Sequence, residues 1–329
     1  VNIMSLAFFG SLVVGGDDCM ADLRLNQIQV IGTHNSYHQR PAPAMLATSI
    51  RVNPAAKEWD YSRLPLDKQL DVGIRSFELD LHLLGNEWLV MHVPIFDPNS
   101  SCRSFADALR IVKTWSDAHP RHVPISILME CKEEGYAISK KFRAPAKEDI
   151  QKLDDIIREI YPNDRLITPD DVRAASGVSF DSPENRRWPT LRSAAGKVLF
   201  ILHETGRLRE SYVADQPALE GKAMFVNADP DAPHAAAIVL DNPTSSAVPE
   251  TARQNLFIRT RADGRENPSK ERREMALQSG AHILSTDYPA GEFPDADAFT
   301  FPNHAPARVN PVTGPSDCDQ IYIVEPIPD

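Results

Sequence analysis

Apolar residues along this chain come in two rhythms, and the order in which they alternate predicts the fold. Short runs with period two and many β-branched residues read as strands, and runs spaced three and four apart read as amphipathic helices. Ile28, Val30 and Ile31 make the first strand, over 28–33, which leads into Gly32-Thr33-His34-Asn35-Ser36-Tyr37. A Pro- and Ala-containing excursion from Gln39 to Tyr61 follows, then a short helix near Leu66–Leu70. Strands are predicted at 74–83, 87–93 and 124–132, and helices over 104–118 and 148–161; in the latter Ile150, Leu153, Ile156, Ile157 and Ile160 share one face. Further strands fall at 197–203, 222–227, 256–261 and 282–287, with a helix over 270–279 ended by Gly280. Eight strands mostly alternating with helices imply an α/β fold whose parallel sheet closes into a somewhat irregular (β/α)8 TIM-type barrel, one domain over 22–329. No repeat or low-complexity linker divides the chain, and no Gly-rich nucleotide loop supports the alternative of an open doubly wound sheet.

Residues 1–21 stand apart. The run Ile3 to Val14 is too short to span a bilayer and has the length of a signal-peptide h-region, with Ala21 as a small residue at a cleavage position; no Lys or Arg precedes Arg24. Two readings stay open, a leader that makes the protein secreted or periplasmic, and an N-terminal flap on a cytoplasmic one. Lys+Arg 35 against Asp+Glu 46 gives a net charge of −11, which argues against nucleic-acid binding and against electrostatic recruitment to anionic lipid, and suits a site that collects a cation. The cysteines Cys19, Cys102, Cys131 and Cys318 have no zinc-site spacing, and Cys131, inside an apolar strand, reads as a buried thiol.

The candidate chemistry sits at strand ends, where a parallel barrel builds its active site. In Ser76-Phe77-Glu78-Leu79-Asp80-Leu81-His82-Leu83 the side chains alternate, so Ser76, Glu78, Asp80 and His82 share one face. Ile125-Ser126-Ile127-Leu128-Met129-Glu130-Cys131-Lys132 ends with Glu130 and Lys132 on one face, and Trp88-Leu89-Val90-Met91-His92 ends with a histidine. Converging strand ends bring together Asn35, Glu78, Asp80 and Glu130. Carboxylates at that density raise one another's pKa unless a cation joins them, and an all-oxygen set with irregular spacing favours Ca²⁺ over Mg²⁺. His34 and His92 flank this set as an acid/base pair.

The ordered set Gly32-Thr33-His34-Asn35, Phe77-Glu78-Leu79-Asp80, Met91-His92 and Glu130 resembles the catalytic half of calcium-dependent phosphoinositide-specific phospholipases C, within the phospholipase-C-like phosphodiesterases. The resemblance is close over 27–132 and looser to about 289, where Ser285-Thr286-Asp287-Tyr288-Pro289 is similar to a final-strand motif of related phosphodiesterases. It implies an irregular (β/α)8 barrel, Asn35, Glu78, Asp80 and Glu130 as Ca²⁺ ligands, and His34 and His92 as catalytic histidines. It also implies cleavage of a phosphatidylinositol-type diester by intramolecular attack, giving a cyclic inositol phosphate and diacylglycerol, with Glu78 or Glu130 taking the hydroxyl proton. Calcium-independent bacterial relatives use an arginine in place of the metal, where this chain offers Asp80. Nothing resembles the lipid-targeting domains of the eukaryotic enzymes, so membrane contact is expected to be transient at most.

Lys132, His203 and Asp287 are the candidate substrate-binding groups. Lys132 reaches a phosphate or pairs with Glu133 or Glu134; His203 ends a strand as His34 does or is structural; Asp287 accepts a ligand hydroxyl, orients a histidine or caps a loop. Arg259 and Arg261 bind an anion or form salt bridges inside the barrel. His38, His82, His119, His122, His234, His282 and His304 read as surface or supporting groups. Two other functions share part of the pattern. A glycerophosphodiester-type hydrolase fits Glu78, Asp80, Glu130 and Lys132 but not Asn35 after His34, and a non-catalytic Ca²⁺-binding module has no need of paired histidines.

Overall fold

Eight strands in the order β6-β5-β4-β2-β1-β9-β8-β7 run parallel to their neighbours and curl into a nearly closed barrel. The computed structural model describes residues 22–133, 141–173, 179–180, 182–265, 268–318 and 321–328; residues 1–21, with Cys19, lie outside the described residues. The strands are β1 (Ile28–Thr33), β2 (Ser76–Leu84), β3 (Glu87–Val90), β4 (Ile125–Cys131), β5 (Val198–Leu202), β6 (Met224–Val226), β7 (Ala237–Val239), β8 (Phe257–Arg261) and β9 (Ile283–Thr286). After them β10 (Ala307–Val309) pairs antiparallel with β1 and with β11 (Tyr322–Ile323).

One expected strand is displaced and one barrel strand is new. The segment read as a strand over 87–93 is not a barrel strand but the returning arm of a hairpin, β3, antiparallel to β2 from Leu81↔Val90 to Leu84↔Glu87. Gly85-Asn86 between two apolar runs is a two-residue hairpin signal, and Gly85 takes φ +62 there. The barrel strand that replaces it is β7, missed because its three residues, Ala237-Ile238-Val239, follow the weak strand formers Ala235-Ala236 and are too few to show a period. The seam between β6 and β7 is thin: an isolated parallel bridge joins Asn227 to Ala237, with Ala228 N donating to Ala237 O (3.1 Å) and Val239 N to the Asn227 side chain (2.9 Å).

Strand alternation divides the core in two. One parity (Phe77, Leu79, Leu81, Ile127, Met129, Phe200, Leu202) packs outward against the helices, and the other (Ile28, Val30, Leu128, Leu199, Ile201, Phe225, Phe257, Ile283) fills the barrel with Leu25 and Trp188. The helix Phe105–Ala118 starts on the Ser104 side chain, which accepts from Asp107 N, and buries Phe105, Leu109 and Val112. The helix Lys147–Ile160 buries the predicted Ile150, Leu153 and Ile157, with Ile156 and Ile160 packed partly buried beside them. Midway up the barrel Gly32 faces Ser76 and Ile283; a Cβ there would lie 2.7 Å from the Ser76 Cβ, so the close approach requires glycine. Above that level the inward positions become polar.

The excursion after β1 folds into a helix, Pro43–Val52, and a 3₁₀ helix, Pro54–Trp59, that bring Trp59, Tyr61 and Arg63 to the mouth. Cys102 and Cys131 are buried free thiols. Among the described residues no helix is long and apolar enough to cross a membrane.

Candidate active site

His34 is the first residue past β1 and Asp287 the first past β9. Because Thr33 pairs with Thr286 in neighbouring parallel strands, the two side chains emerge together, and His34 Nδ1 lies 3.0 Å from Asp287 Oδ1. Asp287 Oδ1 also accepts from Arg63 (2.9 Å), and Oδ2 from Arg261 (2.8 Å) and Arg265 N (3.2 Å). Burial pushes this carboxyl up, but His34, Arg63 and Arg261 together hold it far below the usual carboxylate range. An ionised Asp287 only accepts, so His34 Nδ1 carries a proton and Nε2 faces the site, 3.7 Å from Glu78 Oε1. The buried Arg63 clamps the pair by donating twice to the His34 carbonyl (3.2 and 3.0 Å).

The carboxylates come from adjacent strands, with Asp80 directly opposite Glu130 and Glu78 two residues deeper on the same face. Lys132 bridges Asp80 (3.1 Å) and Glu130, and Arg259 reaches across the barrel from β8 to Glu78, Asp241 and the Ser285 hydroxyl. Burial raises the Glu78 carboxyl, yet Arg259 and then His34 bring it down to about 2. Burial and Glu130 push Asp80 up to about 7 against the pull of Lys132, while Glu130, opposed by burial, is lowered by Lys132. Asn35 is buried in the left-handed region (φ 47), which asparagine tolerates, and its amide bonds the Tyr61 phenol.

These residues fit a hard divalent cation. All four residues offer oxygen donors, and Asp80 Oδ1 is buried beside the Tyr37 hydroxyl with no cationic group on it. Lys132 and Arg259 mark the positive charge that the carboxylates attract. Among the described residues the ligand atoms that lie within 4.8 Å of one another belong to another trio, His38, His92 and Asp97; the carboxylates are spread more widely.

His92 reaches the site by an unexpected route. Strand β2 runs on beyond the barrel, turns at Gly85-Asn86, and returns as β3, so that Met91 N bonds Asp80 O (3.3 Å) and the next residue sits over the mouth. His92 Nδ1 lies 2.8 Å from Asp97 Oδ2, and the short loop is pinched by reciprocal Val93–Asp97 backbone bonds (3.1 and 2.8 Å). Trp59 stands edge-on to the ring, 5.4 Å between centroids. Each of the two predicted catalytic histidines is therefore held at Nδ1 by a buried aspartate. Asp97 carried no sequence signal, since its partner is fixed by a loop closure and not by strand register.

A cavity of about 510 Å³, within the range of small-molecule sites, is lined by His34, Asn35, Trp59, Tyr61, His92 and Asp287 and on one wall by Arg261 and Arg265. The candidate substrate-binding groups fall differently than the sequence suggested. Lys132 pairs with Asp80 and Glu130, while Glu134 lies outside the described residues. His203, half-buried at the end of β5, acts electrostatically on Glu78 and Glu130 without lining the cavity. Asp287 lines it, but both oxygens are engaged within the protein. Of the histidines read as surface or supporting groups, His38, His82, His122, His234 and His282 are buried.

Known proteins share this fold. The family model for Ca²⁺-dependent phosphoinositide phospholipase C matches residues 23–83 and 82–311. A calcium-dependent phosphoinositol-specific phospholipase C from the Gram-negative bacterium Pseudomonas sp. superposes with a TM-score of 0.62 at 16% identity, over 89% of this chain and 97% of that one. Its myo-inositol complex gives 0.58 at 17% identity, over 82% and 92% of the two chains. The Ca²⁺-dependent phosphatidylinositol-specific enzyme of Streptomyces antibioticus gives 0.56 at 19%, over 80% and 95%. At these identities the structural likenesses establish the fold. No curated protein sequence matches the chain. With the family model covering most of its length, the chain belongs to the Ca²⁺-dependent phosphoinositide phospholipase C family of phosphodiesterases.

Proposed function

We propose that the protein cleaves phosphatidylinositol-type phosphodiesters by attack of the inositol 2-hydroxyl on its own phosphorus, releasing the alcohol and a cyclic inositol phosphate. The observation that carries this reading is the pair of aspartate-held histidines, His34–Asp287 and His92–Asp97, facing one cavity that Glu78, Asp80 and Glu130 do not line, with His34 Nε2 3.7 Å from Glu78 Oε1. Asn35, Glu78, Asp80 and Glu130 would hold Ca²⁺, whose charge, when bound, acidifies the attacking hydroxyl and stabilises the phosphoryl oxygens. His34 donates from Nε2 to a phosphoryl oxygen while Asp287 keeps Nδ1 protonated and the ring fixed. The new O–P bond forms as the bond to the leaving alcohol breaks, and His92 gives that alcohol its proton from Nε2 while Asp97 stabilises the imidazolium. The hydroxyl proton goes to Glu130, whose side chain is 32% exposed against 6% for Glu78, whose Oε2 is already taken by Arg259. Export through a leader over 1–21 belongs to the same reading, and N-terminal sequencing of the mature chain tests it.

Phosphorus NMR of products from phosphatidylinositol, glycerophosphoinositol and glycerophosphocholine tests the chemistry. A five-membered cyclic phosphate signal is expected from the inositol diesters, with Ca²⁺ and not in excess chelator. Hydrolysis of glycerophosphocholine without any cyclic product would replace this reading with the glycerophosphodiester hydrolase.

A further inference from the structure

The loop after β1 carries one histidine that the chemistry above leaves idle. His38 is fully buried, stacked on Tyr61 with centroids 4.0 Å apart, and its Nε2 lies 2.8 Å from the same Asp97 Oδ2 that holds His92. Asp97 is an ionised acceptor: burial raises its carboxyl, but hydrogen bonds from His38 and His92 bring it below the usual range. Both ring nitrogens must then be donors, so His38 is held as the Nε2–H tautomer. Its Nδ1 is buried with no partner. A residue kept only to fill space would be apolar here, because an unpartnered buried nitrogen is a cost. What offsets that cost is the bond to Asp97.

The backbone around His38 is tied to both sides. His38 forms an antiparallel bridge with Ser100, Gln39 N bonds Asn99 O (3.2 Å), and Arg63 N bonds His38 O (2.8 Å). Four residues earlier the same loop carries His34 and Asn35, and Ser36 bonds the Glu78 backbone. Two hydrogen bonds on one carboxylate oxygen leave Asp97 little freedom to rotate, whereas one would leave it a hinge. Resting on the function proposed above, we infer that His38 is a positioning residue for His92: through the shared Asp97 oxygen it sets the ring of the leaving-group acid and ties the hairpin carrying it to the loop carrying His34.

Two substitutions separate the donor from the stack. His38→Phe keeps a ring against Tyr61 but has no N–H, and His38→Gln loses the ring but places an amide N–H near the Nε2 position. Turnover of a dialkyl inositol diester is expected to fall about 10- to 100-fold in His38→Phe, part of the ~10²–10⁴ that a general acid contributes, with KM unchanged. An aryl leaving group, which needs no proton, should lose no more than about threefold. His38→Gln should recover most of the loss. Without substrate, the His92 Nδ1–H proton, downfield in a charge-assisted bond, is expected to shift in His38→Phe and return toward its wild-type position in His38→Gln. That NMR arm needs no activity, so it decides whether His38 sets the His92 bond even if no cyclic product forms. A His92 resonance unchanged in His38→Phe overturns the proposal, as do equal losses on alkyl and aryl substrates or equal losses in the two variants.

Discussion

Lys132→Met is the most informative perturbation of the carboxylate cluster. The ammonium lies 3.1 Å from Asp80 Oδ2 and closer to Glu130, with its side chain 26% exposed. At that separation and an effective dielectric of about 20, the attraction to Asp80 alone is about 5 kcal/mol, offset in part by desolvation. Removing one partner of a largely buried pair typically costs about 3–5 kcal/mol. In chelator the variant should therefore melt on the order of 10 °C below the parent. Ca²⁺ reverses the comparison. In the parent it joins carboxylates that already own a counter-charge, whereas in Lys132→Met it meets two that do not, so calcium should bind more tightly and recover most of the lost stability. Differential scanning calorimetry of both proteins across a Ca²⁺ titration reads the difference directly. If the variant's melting temperature falls by the same amount with saturating Ca²⁺ as in chelator, Lys132 and the cation do not share these carboxylates and the ligand set is wrong.

His92→Ala should lose roughly 10²–10⁴ in rate on a dialkyl diester yet far less on an aryl diester, while His34→Ala should be impaired on both, and equal losses for His92→Ala would remove it as the acid. Glu78 should shape the acid limb of stability. Its carboxyl sits at about 2 in the folded protein against an ordinary 4.5, so as pH falls the unfolded chain binds the proton first; its contribution is whole above 4.5 and disappears between 4.5 and about 2. Denaturant melts in chelator should show that dependence in the parent and a shallower one in Glu78→Gln; identical slopes would place Glu78 outside the ion-pair network.

The parallel barrel was legible because its rhythm is local. The β-branched residues of β1, β4 and β5, the apolar–polar alternation of β2, and the apolar face of the helix at Lys147–Ile160 need no distant partner to be read. The short β7 was not, since three residues are too few to show a period and become a strand only when Phe257 and Asn227 offer Ala237 partners. The same distinction runs through the site. Glu78, Asp80 and Glu130 announce themselves as charges in apolar strands, whereas Asp97 and Arg63 are ordinary loop residues until chain closure brings them to His92 and His34. Lys132 was placed by strand parity, but its partners follow from the pairing of β2 with β4, which no single strand reveals.

The thin seam between β6 and β7 makes the barrel a split ring, and a split ring bends most easily where it is cut. Asp80 and Glu130 sit on β2 and β4 in the unbroken arc, two or more strands from either lip, so amides there should be the last to exchange with solvent. Arg259 sits one strand from the β7 lip and spans the interior to Glu78 on the far wall. That ion pair ties β8 to β2 through the interior and leaves the seam itself unbraced. Stiffness is therefore expected along the anionic arc and compliance beside the seam, so amides of β7 should exchange before those of β4.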